Sequence, residues 1–224
     1  MADRFYQSFI YMDNWKFFAQ GFVMTLLLTL ASFLGGTLAG TILCALQLSR
    51  NKVVSIVTKR VTSFLVEIPT LVLLMVFVYI LFHGTSLSVT LVVIFGLILK
   101  AGAYLSEIFR SAVLKVSTGE AEAARTLGMS ARQTFWYITL PQAVDTALPL
   151  YQNQFIACLQ ETSIVGTLAV MDITKASSVV VSRTLDATFG VIFISIVYLL
   201  LGFIGSRLLG ILKNRRHMGG EQNV

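Results

Sequence analysis

The sequence predicts an all-α membrane protein with five transmembrane helices and a cytoplasmic helix-turn-helix loop, and three observations carry that prediction. Of its 224 residues, 56% are hydrophobic and 12% charged, whereas soluble domains run near 45–50% apolar and about 25% charged. The mean hydropathy is +0.80. Several apolar runs also reach the ~20 residues needed to cross the hydrocarbon core of a bilayer. A soluble enzyme, a secreted disulfide scaffold and a disordered tail are excluded by this composition.

Taken in order, the first run is free of charge between Lys16 and Arg50, and residues 21–48 are long enough to span with some tilt. No short apolar core followed by a cleavage site precedes it, so it reads as an uncleaved helix. A second run covers 61–82. A third, 87–109, carries Lys100 and Glu107 toward its end. The fourth, 146–170, is diluted by Gln152, Asn153, Gln154, Gln160 and Glu161, and has Pro149 near its start, where a helix tolerates it. It reads as a span because polar residues in an apolar helix face a protein interior or a water-filled path. The fifth, 187–206, is uncharged up to Arg207. The chain 1–224 is thus a single transmembrane domain whose longest connector is 110–145.

Five spans place the two termini on opposite sides, and the basic residues decide which is which. Of the 17 Lys and Arg residues, Arg50, Lys52, Lys59, Arg60, Arg110, Lys115, Arg125, Arg132, Arg207, Lys213, Arg215 and Arg216 fall on one side. Only Arg4, Lys16, Lys175 and Arg183 fall on the other. The N-terminus is expected outside and the C-terminus in the cytoplasm. The net charge of +6 is therefore a loop bias, and its dispersal argues against nucleic acid as a partner. Cys44 and Cys158 lie in apolar segments and read as buried free thiols. His83 and His217 have no neighbouring ligands, so no metal site is expected.

The 110–145 loop carries dense local signals. Ser117 with Glu120, and Ser130 with Gln133, have the spacing of capping boxes. Gly128 sits where a helix C-terminal glycine belongs, and Pro141 is expected to stop the second helix. One reading is an amphipathic hairpin lying on the membrane surface. The other is a docking knob: Ala121, Ala123 and Ala124 allow close approach, while Glu120, Glu122 and Arg125 supply charged contacts at its rim. Glu107 and Arg110, three apart, are expected to pair along the helix that enters this loop.

The string EAARTLGMSARQTFWYITLP, Glu122 to Pro141, resembles the cytoplasmic signature of ATP-binding-cassette importer permeases, with every fixed position met. AYLSEIFRSAVL, LPQAVDTALP, NQFIACLQETSIVG and GFVMTLLLTL are similar to the branch that imports polar amino acids, so the likeness covers about residues 21–212. The resemblance implies a type I importer transmembrane subunit paired with itself or a sister subunit, in the cytoplasmic (inner or plasma) membrane of a bacterium. It implies two cytoplasmic ATPase subunits and an external amino-acid-binding protein as partners. The loop then becomes the coupling element seated on the ATPase, with Gly119, Glu120, Glu122, Ala123, Ala124, Arg125, Gly128, Met129 and Ser130 at the contact. The chain has no G-x-x-x-x-G-K-[ST] motif, so no cofactor is expected in it, and ATP and Mg would be bound by the partner. It is expected to be a transport subunit and not an enzyme.

A charge without a partner in low dielectric costs several kcal/mol, so Glu161 within a span is a candidate for substrate contact. Gln154, seven residues earlier, falls on nearly the same helical face, with Cys158 between them and Gln160, Thr162 and Ser163 beside it. The resemblance places Gln154 and Glu161 where amino-acid permeases line their pocket. Pro69 lacks an N–H and frees a carbonyl to meet solute, with Thr70 adjacent. Glu67 and Ile68 depart from the family pattern there. Lys100 either meets a substrate carboxylate or pairs with Glu67, Glu107 or Glu161, and Glu161 itself is alternatively a structural partner. The competing reading is a stand-alone secondary transporter or channel for small polar solutes. Five spans without an internal repeat do not support it.

Overall fold

The structure, a computed structural model, describes Phe9 and residues 13–220, with side chains as far as residue 210. Arg4, and the side chains of Lys213, Arg215, Arg216 and His217, lie outside the described residues. Among the described residues there are helices and no strands. Three helices are long and apolar enough to cross a membrane, or five if each of two bent helix pairs counts as one span.

Helix α1 (Asn14–Gln47) begins before the expected start at 21, because Phe17 and Phe18 continue its apolar surface and Phe18 is buried. One face carries Gly21, Thr25, Leu28, Thr29, Ser32, Gly36 and Gly40, all buried. Spacing by threes and fours puts these small residues in one seam. From Gly36 to Gly40 the seam packs on α4 (Val89–Lys115), which continues beyond the expected end at 109. A Cβ on Gly36 would lie 2.7 Å from the Cβ of Ala101, and one on Gly40 would lie 2.8 Å from that of Leu105. Small residues thus let the two backbones approach, which is how helices associate where lipid removes the hydrophobic drive.

The second apolar run is not one helix. Asn51 caps α2 (Lys52–Glu67) by accepting from the amides of Val53 and Val54. The chain then bends by 109° before Thr70–Leu81. This second limb comprises α3 (Thr70–Val76) and a π-turn, Phe77–Leu81. The expected span 61–82 crosses this bend. Pro69 supplies no amide to the carbonyl four residues back, so the helix cannot continue through it.

The connector after α4 is shorter than expected. It holds α5 (Thr118–Thr126) and a turn; α6 (Ala131–Thr134) then starts a helical run that continues through a π-turn, Phe135–Thr139, into α7 (Leu140–Glu161). Pro141 therefore does not stop the helix. The wider π-turn just before it places the missing donor at a junction where the i→i−4 ladder has already changed register.

A 3₁₀ segment, Thr162–Leu168, follows α7, and the chain then bends by 49° into α8 (Ile173–Thr184), a helix that lies between the fourth and fifth apolar runs. Asp172 caps it, accepting at 2.9 Å from the amide of Thr174 and at 3.1 Å from that of Lys175. The amide of Ile173 donates to Thr25 Oγ1 at 3.0 Å, tying α8 to α1. The last helix, α9 (Ala187–Gly220), extends past the expected 206.

Candidate functional site

The break between α2 and α3 brings together Lys100 from α4 and Glu161 from α7. Helix α2 ends with unsatisfied carbonyls, as every helix does. Lys100 reaches them from α4: its Nζ donates to the carbonyls of Leu65 at 2.7 Å, Val66 at 2.9 Å and Ile68 at 2.5 Å. Tyr104 Oη adds a bond of 3.3 Å to the Val66 carbonyl, and its ring lies 5.1 Å from the ammonium. Lys100 thus pairs with main-chain oxygens, and no ion pair joins it to Glu67, Glu107 or Glu161 among the described residues.

On the other limb, Thr70 Oγ1 donates to Glu161 Oε1 at 3.0 Å. The second carboxylate oxygen, Oε2, is buried and has no hydrogen-bond partner. Of the sequence-predicted path residues, the structure joins Thr70 and Glu161 directly and places Pro69, exposed, at the cap of α3 beside them. Gln154 and Cys158 form a second pair, with Nε2 donating to Sγ at 3.8 Å. Both are buried, and Cys158 packs against Phe33 and Ala101. Gln160 and Ser163 line a groove of about 480 Å³ between α7 and α9, with Tyr198, Gly202 and Ser206. The predicted residues therefore fall in three places, along α7, on the 3₁₀ segment that follows it and at the start of α3. Cys44 and Cys158 are both free and buried.

The hairpin after α4 is built by local chemistry. Gly128 adopts φ 89°, a left-handed conformation open to glycine. Its amide donates to Arg125 O at 3.0 Å and that of Met129 to Ala124 O at 3.2 Å, the paired bonds of a Schellman motif. Ser130 and Gln133 then form the expected capping box. The other expected box does not form: Ser117 makes no side-chain capping bond, and Glu120 instead accepts from Gln142 Nε2 on α7. Ala124 is buried, while Gly119, Glu122, Ala123 and Arg125 are exposed and Leu127, at the tip, is 85% exposed.

Two further clusters were not anticipated from the sequence. Gln47 Nε2 donates to Thr62 Oγ1 at 2.9 Å and to Ser106 Oγ at 3.1 Å, stitching α1, α2 and α4 together. Glu107 accepts from Thr62 at 3.5 Å and makes no ion pair with Arg110, whose Nε is buried without a partner. Asp172 was legible as an N-cap before Ile-Thr-Lys. Among the described residues no group of His, Cys, Asp or Glu could hold a metal ion.

A helical bundle with ionisable side chains buried at a broken span and an exposed hairpin on its longest connector defines a membrane transport subunit. Residues 32–218 match the family described as the binding-protein-dependent transport system inner membrane component, and the chain belongs to that family. It is 32% identical over 210 residues to a probable amino-acid permease protein, YxeN, of Bacillus subtilis (strain 168), covering 87% of this chain and 92% of the relative. It is 31% identical to the nopaline transport system permease protein NocM of Agrobacterium fabrum, over 82% of this chain and 81% of the relative. Against a chain of a crystal structure described as an amino acid ABC transporter with histidines, the TM-score is 0.83 at 28% identity, over 89% of this chain and 94% of the other. A chain of the MetNI methionine ABC transporter, at 19% identity and TM-score 0.70, shares the fold.

Proposed function

We propose that this chain forms the translocation path of an ATP-driven importer for polar amino acids in a bacterial cytoplasmic membrane, N-terminus outside and C-terminus inside. It pairs with a second permease subunit, either a copy of itself or a sister. Two cytoplasmic ATP-binding-cassette subunits bind ATP and Mg and hydrolyse it, and an external binding protein delivers the amino acid. The named relatives and the 0.83 structural likeness support this reading.

The observation that carries it is the helical run from the Ser130 cap to Glu161. Its near end abuts the exposed hairpin, and Glu120 on α5 grips it through Gln142. Its far end bears the buried carboxylate that meets Thr70 at the break of the second span. A push on the hairpin is therefore delivered along a stiff element to the polar centre. The exposed Gly119 and Ala123 allow close approach and the exposed Glu122 and Arg125 supply charge beside them, which favours a partner's groove over a lipid surface as the hairpin's seat.

In this mechanism the ammonium of the solute meets Glu161 and its polar groups meet Thr70, Gln154, Gln160 and Ser163. Closure of the ATPase subunits moves the hairpin, and access switches from outside to cytoplasm. Affinity purification from native membranes, followed by reconstitution in nanodiscs with the binding protein, tests it. A co-purifying ATPase whose hydrolysis rises with a polar amino acid is the expected result. A chain that transports without any ATPase overturns it.

A further inference from the structure

The acceptors that Lys100 occupies are ones the sequence itself leaves open. In an unbroken helix the Leu65 carbonyl would receive the amide of residue 69, but Pro69 has none. The Val66 carbonyl would receive the amide of Thr70, which has already turned away through the 109° bend. Ile68 is extended, with ψ 132°, so its carbonyl also leaves the helical ladder. Three main-chain oxygens converge on one point, at the negative end of the α2 dipole. An ammonium carries three N–H donors, one for each oxygen. Lys100 Nζ makes those three contacts at 2.7, 2.9 and 2.5 Å, and the residue is 2% exposed.

We propose that the break between α2 and α3 is a primary-ammonium site, built from the carbonyls of Leu65, Val66 and Ile68, which the chain fills with its own Lys100. The site is closed to solute because its ligand is tethered. Glu161, across the break, keeps an unpartnered Oε2 because the nearby ammonium is committed to carbonyls. Where this touches solute it rests on the proposed function. One ammonium of an amino acid finds Glu161, while the second ammonium of a dibasic solute finds the carbonyl site taken. Lys100 is in that sense a positioning and specificity residue, holding the bend and excluding one class of cargo.

The test uses the intact purified complex and reads thermal stability, so it does not depend on transport. In Lys100→Ala, added n-propylammonium replaces the deleted side chain and raises Tm by about 3–5 °C at about ten times its Kd. Propan-1-ol, which lacks the charge, and tetramethylammonium, which lacks N–H donors, leave Tm unchanged. The rise persists in Lys100→Ala/Glu161→Gln, because the carbonyls and not the carboxylate hold the amine. Equal effects of the three additives, or loss of the rise in the double variant, overturn the proposal. If Lys100→Ala does not fold, Lys100→Arg, which keeps N–H donors, is compared with Lys100→Met, which has none. Recovery of Arg but not Met supports the site, and equal recovery overturns it. Failure of amino-acid-stimulated ATP hydrolysis, with the propylammonium rescue intact, removes the transport reading and leaves the site standing.

Discussion

Replacing Gly128 by alanine separates the backbone of the hairpin from everything around it. A Cβ built on Gly128 meets nothing within 4 Å, so alanine introduces no clash. The whole effect comes from φ 89°, where an L-residue pays about 1–2 kcal/mol. That penalty falls on the Schellman bonds from Gly128 and Met129 to Arg125 and Ala124, which fix the angle between α5 and the α6–α7 run. The hairpin is exposed and stands outside the packed seam, so it opens locally and the global Tm stays within about 1 °C of wild type. The ratio of docking-competent to other hairpin angles falls by a factor of about 5–30. Amino-acid-stimulated ATP hydrolysis of the reconstituted complex, titrated with ATPase subunit, should show apparent affinity weakened by that factor. Gly128→Asn, a residue that tolerates the left-handed region, should recover most of it. Alanine behaving as wild type in this titration would refute the claim that the glycine turn sets the coupling geometry.

Three further outcomes follow from the same geometry. Glu161→Gln removes the charge that a solute ammonium meets and should lower uptake into membrane vesicles about tenfold or more, with Thr70→Val, which deletes the donor at 3.0 Å, also impairing it; unchanged kinetics in folded transporter would remove Glu161 from the path. Gly36→Val forces the α1–α4 backbones apart and should cost about 1–3 kcal/mol, read as a Tm roughly 2–12 °C lower. Ser130→Ala loses a formed capping box and should destabilise the hairpin by about 1 kcal/mol, while Ser117→Ala, which makes no capping bond, should stay within about 0.5 kcal/mol; amide hydrogen exchange of residues 118–134 distinguishes them.

What could be read from the sequence was what local chemistry decides. Gly128 and the Ser130 box depend on residues three to five apart, and both form as their spacing indicates. Ser117 failed for a non-local reason: its partner in the expected box, Glu120, is drawn to Gln142 twenty-two residues away. Glu107 likewise makes no ion pair with Arg110 on its own helix and lies 3.5 Å from Thr62 on another. Hydropathy located the second apolar run but carries no information about direction, so a 109° bend is invisible to it. Lys100 stood out as an anomaly within a span. Its partners are main-chain carbonyls at the Pro69 break: the proline announces a freed carbonyl, but no residue pattern shows that a lysine from another helix fills it. Helix α8 is too short to span by itself, and only the cap at Asp172 marked it.

Two ionisable side chains of the membrane region, Lys100 and Glu161, sit on helices that meet at the hairpin. Lys100 is on α4, which ends where the α5 connector begins, and Glu161 ends the run that starts just after it. Near the hairpin these helices touch through Ala112, Ala143 and Ala147, small residues that let them slide or pivot without unlocking large side chains. From Gln142, where α5 grips, to Glu161 is about 28 Å of helical rise at 1.5 Å per residue. A rotation of about 5° about the alanine contact would then carry the carboxylate roughly 2 Å, enough to break its 3.0 Å bond with Thr70. The Lys100 carbonyl contacts move with the other helix, so the bend and the carboxylate separate. Enlarging the pivot with Ala143→Leu should accordingly uncouple ATP hydrolysis from uptake while leaving the hairpin's own exchange protection intact. A variant that still couples the two at the wild-type ratio would show that the motion does not pass through this contact.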